Sequence, residues 1–163
     1  MKYITDTIRR QDRVLDEART MALLDESEYG VLSLVDAAGK PYGVPVNYVF
    51  DPSAGAAYVH CAPEGRKLDC LKSHPEVSLC VVGRTRVVPG KFTTEYESVV
   101  AEGVARMCLS DEEKLHAIRL LLQKLDPDHV DAGMRATQGS FHRLEVVRID
   151  FTTCTGKCKK VLQ

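Results

Sequence analysis

Arg66 and Lys67 stand side by side where a strand gives way to a helix, a place that favours anions over cations. The surrounding pattern reads as a strand over residues 57–61, a break at Ala62-Pro63-Glu64-Gly65 and a helix over 66–73. It stops at His74-Pro75, and an apolar strand follows over 77–82. The first turn of a helix has free N–H groups and the positive end of the macrodipole. Two adjacent cations there, with only Glu64 nearby to offset them, point to an external anion such as a phosphate. A solvated basic pair on a surface helix is the other reading, because a basic pair alone carries little information. His60 lies near the end of the preceding strand, with only Cys61 between it and the 62–65 turn. An imidazole near neutrality there can pass a proton to a bound substrate, or it can simply hydrogen-bond beside one. His74 reads as a helix terminator, and His116, His129 and His142 have no visible partners.

Six cysteines raise disulfide and metal chemistry, and their spacing refuses both. Cys61, Cys70, Cys80 and Cys108 lie among apolar residues on predicted elements, where reduced Cys behaves as a small hydrophobe. Cys154 and Cys158 are separated by three residues, not the two of a zinc knuckle or thioredoxin-like motif. No His-Cys cluster completes a ligand set, so no metal site is expected. The pair reads as bystander thiols, with a redox role as the alternative.

Positioning these groups requires a mostly β scaffold. Residues 12–27 have helical spacing through Val14, Ala18, Met21, Ala22 and Leu24. Strands are predicted over 30–36 and 42–50, then 57–61 and 77–82, with Gly- and Pro-containing turns between the first three. Short loops imply antiparallel pairing. Pro45 marks an edge, a bulge or a place where pairing is given up. A polar connection over 83–91 leads to a long strand over 92–108, in which Gly103 marks a bulge or barrel corner. Ser110-Asp111-Glu112-Glu113 is a capping box opening a helix that Asp126-Pro127 closes. Residues 128–139 read as irregular or briefly helical, 141–151 as the last strand, and the basic end of the chain as a solvated tail. The fold class is α+β: a six-stranded antiparallel barrel with flanking helices.

The chain of 163 residues, 44% hydrophobic and 28% charged, reads as one soluble globular domain over 1–163. A net charge of -1 without a concentrated basic excess argues against nucleic acid as a partner. No apolar run approaches a membrane span, and the N-terminus lacks the apolar core of a signal peptide, so a cytoplasmic location is expected.

With these elements in order, residues 28–107 resemble the flavin-binding split barrels related to pyridoxamine-phosphate oxidase. The resemblance rests on a Gly-x-Pro turn and following strand (39–48), a strand ending near the basic pair (58–67), His-Pro-x-Val-Ser-Leu (74–79) and Glu102-Gly103. Within that family the nitroimidazole-resistance group is the most similar, through GVLSLVDAAGKPYGVPVNYVF, GRKLD and KFTTEYESVVAEG. The resemblance implies an FMN-binding split barrel. It places the FMN phosphate on Arg66 and Lys67 beside Gly65, and the isoalloxazine ring along the backbone of Val44, Pro45, Val46, Asn47 and Tyr48. His60, Cys61 and Ala62 fall beside the flavin. Ser98, with Glu97 next to it, falls where a polar residue reaches the cofactor from the partner subunit of a homodimer. Glutamine is typical there in the oxidases, so Ser98 is a departure. Thr155-Gly156-Lys157 resembles a tail motif of the nitroimidazole-resistance group near the cofactor, which adds Lys157.

A charged clamp for a dianionic phosphate and a strand with free backbone groups are what FMN requires. The oxidases also end in a segment with tryptophan and an Arg-x-His pair, whereas this chain has no Trp. The oxidase reaction itself is therefore not expected. The implied function is a homodimeric FMN-dependent oxidoreductase acting on a small molecule such as a nitroaromatic, with His60 as the catalytic candidate. The alternative is a flavin or haem carrier without turnover. No G-x-G-x-x-G marks a tightly held nicotinamide cofactor.

Overall fold

A computed structural model describes residues 1–160. The chain runs through β1 (Lys2–Tyr3), α1 (Glu17–Glu26), β2 (Tyr29–Val35), β3 (Pro41–Asn47), β4 (Val49–Asp51) and β5 (Ala56–Cys61). It continues through α2 (Arg66–Ser73), β6 (Glu76–Val88), β7 (Thr93–Arg106), α3 (Asp111–Leu125), α4 (Val130–Gly139) and β8 (Glu145–Lys159). The strands form one sheet in the order β3-β2-β6-β7-β8-β5-β4, antiparallel throughout except where β1 joins β8. Only Tyr48 separates β3 from β4, so the two ends of the sheet belong to one run of chain. The sheet thus curls back on itself and splits at that residue, giving the expected α+β split barrel.

The six predicted strands become eight because Tyr48 divides the second and the two residues of β1 add another. The ladder is not broken at Pro45, which pairs with Val31 inside an uninterrupted β2–β3 register. Pro45 is tolerated because β3 is an edge with one partner, so its missing donor costs no second ladder bond. Pairing is given up instead at Tyr48, whose side chain is fully buried and whose hydroxyl donates to the Leu24 carbonyl.

Period-two alternation sets the two faces of the wall. Leu32 and Leu34 of β2, Leu79 and Val81 of β6, and Val99 and Ala101 of β7 point into one buried core. Tyr58 and Val146 point the other way and pack under Ala117, Ile118 and Leu121 of α3. Ser110 caps α3 by accepting the Glu113 N–H, as the capping box predicts.

Several boundaries differ from the sequence reading. Residues 83–91 are mostly ladder: Thr85 to Val88 pair with Tyr96 to Thr93, so β6 and β7 form one long hairpin. Gly103 does mark a bulge; a Cβ there would stand 2.3 Å from the Asp150 carbonyl oxygen. Residues 11–13 form a separate 3-10 turn, so α1 starts at Glu17, capped by Asp16. Residues 130–139 are a full helix, and 141–143 are a 3-10 turn before β8. The basic tail is not free, since β8 runs on to Lys159 opposite Tyr96. Among the described residues no helix is long and apolar enough to cross a membrane.

Candidate functional site

Gly65 sets the geometry of the α2 N-terminus. Its φ of 130° lies where an L side chain is strained, and as N-cap it offers no side-chain acceptor to the first turn. Arg66 and Lys67 follow at once, and the helix closes at His74, whose N–H donates to the Cys70 carbonyl at 2.8 Å. Arg66 is exposed, with its guanidinium carbon 4.2 Å from the centre of the Tyr42 ring at the start of β3. Its nearest carboxylate is Asp36 at 3.8 Å, not Glu64. Asp36 already accepts the Ala38 and Lys40 N–H groups of the β2–β3 turn, so the long, exposed pair offsets little of the Arg66 charge.

Lys67 turns toward the end of β5. Its charge acts on Cys61, whose thiol is pushed up by burial more than Lys67 pulls it down. The Cys61 thiol therefore stays protonated at neutral pH. His60 faces the opposite side of β5 and reaches solvent. Crowding around the ring, and then the Lys67 charge, lower its pKa, so the imidazole is neutral at pH 7. Glu145, opposite Cys61 across the ladder, is held by Lys114 at 3.1 Å. The turn at Ala62 and Gly65 is exposed. Gly65, Arg66, Lys67, His60, Cys61 and Ala62 thus form one group, joined to β3 by Arg66 over Tyr42.

The β3 strand offers mainly backbone. Val46 and Tyr48 are buried and Val44 packs against the core, whereas Pro45 and Asn47 point outward. Asn47 donates to the Glu28 carbonyl at 3.1 Å.

Glu97, Ser98 and Lys157 form a second group. Ser98 pairs with Val82 on one side and Lys157 on the other, and Glu97 accepts Arg19 at 2.8 Å. Asp36, beside Arg66, lies beyond the Ser33–Ser78 pair near the start of β6, while Val82 lies the other way. At about 3.3 Å per residue the two groups are on the order of 20 Å apart within one chain. One copy of the chain does not bring them together.

On the outer wall, Tyr29 and Val31 of β2, Val82 of β6, and Val100 and Val104 of β7 form an exposed apolar band. Val99 and Ala101, which flank Val100 on β7, are fully buried because alternate residues of the strand face the core. Cys154 and Cys158 lie four residues apart on β8, so their Cα atoms are about 13 Å apart, beyond disulfide reach. His116 and His129 do have partners, Asp51 at 3.4 Å and Asp126 at 2.7 Å. Sequence reasoning missed a basic cleft at the base of the β6–β7 hairpin. Its one signal was Arg84-x-Arg86, a spacing that puts both side chains on one face of a strand.

Among curated proteins none is significantly similar in sequence. Solved structures share the fold. One is a candidate 5-nitroimidazole antibiotic resistance protein from Bacteroides thetaiotaomicron, 22% identical over 90% of this chain and 86% of that one, with a TM-score of 0.72. Another is an FAD and heme binding protein from Mycobacterium smegmatis, 16% identical over 90% and 72%, with a TM-score of 0.76. The heme storage protein HutZ from Vibrio cholerae is 17% identical over 86% and 94%, with a TM-score of 0.65. The sequence profile of the pyridoxamine 5'-phosphate oxidase family matches residues 16–158, from the cap of α1 to the end of β8, and this chain belongs to that family.

Proposed function

We propose that the protein is a homodimeric FMN-binding oxidoreductase that reduces a small molecule of the nitroaromatic type. One observation carries the reading: α2 begins at a glycine without a capping side chain, and its first two residues are cations whose charge is little offset. That arrangement suits the phosphate end of FMN, with Arg66 supplying a planar fork and Lys67 a mobile point charge. The free edge of β3 offers backbone donors and acceptors at the height of Arg66. A second copy packed on the apolar outer band supplies Ser98 and Lys157 to the same groove, which one chain leaves without them. Bound FMN would supply two-electron redox chemistry between a donor and the substrate. The chain's own residues hold the phosphate, line the ring and, through His60 or water, deliver protons.

A haem-binding reading also has one observation in its favour, because a neutral, outward-facing His60 is what an iron ligand requires. The absorption spectrum of the purified protein decides between them. Bands near ~375 and ~450 nm are expected for bound flavin. A haem spectrum, or protein that stays colourless after incubation with FMN, would sink the leading reading. Anaerobic reduction of a nitroaromatic by the flavin-loaded protein then separates an enzyme from a carrier.

A further inference from the structure

Away from the α2 group, a cleft of about 620 Å³ opens at the base of the β6–β7 hairpin. Arg84 and Arg86 form one wall, Lys159 and Lys160 at the end of β8 another, and Arg19 reaches in from α1. Two carboxylates share the space, and each is engaged: Glu95 by Arg86 at 2.6 Å, Glu97 by Arg19 at 2.8 Å. Lys159 donates to the Thr93 hydroxyl, a neutral acceptor that leaves its charge uncompensated. Among the described residues, Arg84, Lys159 and Lys160 form no ion pair with a carboxylate. A chain with a net charge of -1 has therefore gathered, among the described residues, three cations without a carboxylate partner around one hollow. Tyr96 adds an aromatic ring to the lining.

We propose that this cleft is a second anion site, which binds the diphosphate of a nucleotide. Three cations within one concavity raise the local concentration of a multiply charged anion far more than that of a single charge. The volume supports an organic ligand, since a lone phosphate would leave most of a small-molecule-sized hollow empty. Arg84 supplies a planar donor fork and the lysines point charges, the combination that grips phosphate oxygens. Its cations are separate from Arg66 and Lys67, and Glu97 is the one lining residue shared with the group that the proposed dimer would bring to the flavin.

The test is calorimetric titration of the purified protein with ADP, adenosine and inorganic pyrophosphate at low ionic strength, where exposed charges are least screened. ADP is expected to bind more tightly than either pyrophosphate or adenosine, and to weaken as salt is raised. Arg84→Gln combined with Lys160→Gln removes two exposed cations that hold nothing else among the described residues, and should lower ADP affinity at least about tenfold. Arg66→Ala with Lys67→Ala should leave ADP binding unchanged. Pyrophosphate binding as tightly as ADP would overturn the nucleotide assignment. Undiminished ADP binding by the Arg84/Lys160 variant, or its loss in the Arg66/Lys67 variant, would overturn the location.

Discussion

A Cβ on Gly156 would stand 1.9 Å from Thr20 Oγ1 and 2.9 Å from Thr20 Cβ, so α1 lies directly on the β8 backbone. Thr20 is fully buried, and its hydroxyl donates to the Asp16 carbonyl at 2.8 Å. The Leu15 N–H donates to the Gly156 carbonyl at 3.0 Å, which fixes the helix entry to the same point. The Thr155-Gly156-Lys157 stretch, expected to matter beside a cofactor, thus has a packing role in its glycine.

Gly156→Ala should cost about 1–3 kcal/mol of stability through overpacking of this contact. Adding Thr20→Ala removes the hydroxyl from the clash but leaves its Cβ, so the double variant should recover only part of the loss. Urea unfolding measures both. A Gly156→Ala protein as stable as the native one would show that α1 lifts away freely.

Much of this architecture is legible in the residues. Gly65 and His74-Pro75 bracket α2 so tightly that the predicted and observed helices coincide, and Ser110 with Glu113 marks the start of α3. The β6 side of the hairpin arm reads as a polar connection because it lies outside the core. Arg84, Arg86, Val87 and Phe92 are all exposed, and with no buried face the apolar alternation that announces a strand is absent. The α4 region reads as irregular or only briefly helical for a similar reason, since Met134 is its one buried residue. Lys159 looked like a solvated tail because strand pairing with Tyr96 leaves no mark in a run of lysines. The separation of Ser98 from Arg66 depends on register across three strands, which no local pattern encodes.

The phosphate assignment is tested by Arg66→Ala combined with Lys67→Ala. Each charge-assisted hydrogen bond lost is worth about 1.5–3 kcal/mol, so FMN affinity should fall at least tenfold. Riboflavin, which lacks the phosphate, should bind the variant and the native protein alike. Equal losses for the two ligands would place the phosphate elsewhere.

The apolar band through Val31, Val82 and Val100 predicts self-association. Sedimentation at micromolar concentration should give a dimer mass for the native protein. Val82→Glu with Val100→Glu should give a monomer with weakened FMN binding, because Ser98 and Lys157 of the second copy leave the groove. A native monomer that holds flavin tightly would remove the shared-site proposal.

Lys124 Nζ is buried without a hydrogen-bond acceptor, 4.3 Å from the centre of the Tyr48 ring. An unsatisfied buried donor costs about 1–3 kcal/mol, and the cation–π contact offsets about 0.5–2 kcal/mol of that. Lys124→Met should therefore lie between slightly destabilising, by about 1 kcal/mol, and stabilising by about 2.5 kcal/mol. Burial lowers the Lys124 pKa below 10.5, partly countered by Asp25. The unfolded chain thus binds more protons between the folded and unfolded values, and native stability should rise with pH across that window. The native-minus-Met difference in urea unfolding should show this slope. A strongly destabilised Met variant would mean the ammonium has a partner in solution.

His60 carries the prediction with the sharpest sign. Desolvation and the Lys67 charge lower its pKa below 6.5, so the unfolded chain binds its proton more readily than the folded one. Stability from this residue is complete above about pH 6.5 and lost as pH falls toward the folded value. Proton NMR should report an imidazole pKa under 6.5, and Lys67→Ala should raise it, since one of its two causes is gone. In catalysis, His60→Ala should keep FMN affinity within a few-fold. Nitro-substrate reduction should fall by roughly 10²–10⁴, the usual loss for a general acid. The native rate should also change with pH on the acid side of 6.5, and the variant rate should not. A His60→Ala protein with native turnover would make His60 a wall residue whose neutrality serves packing beside Lys67, with protons taken from water.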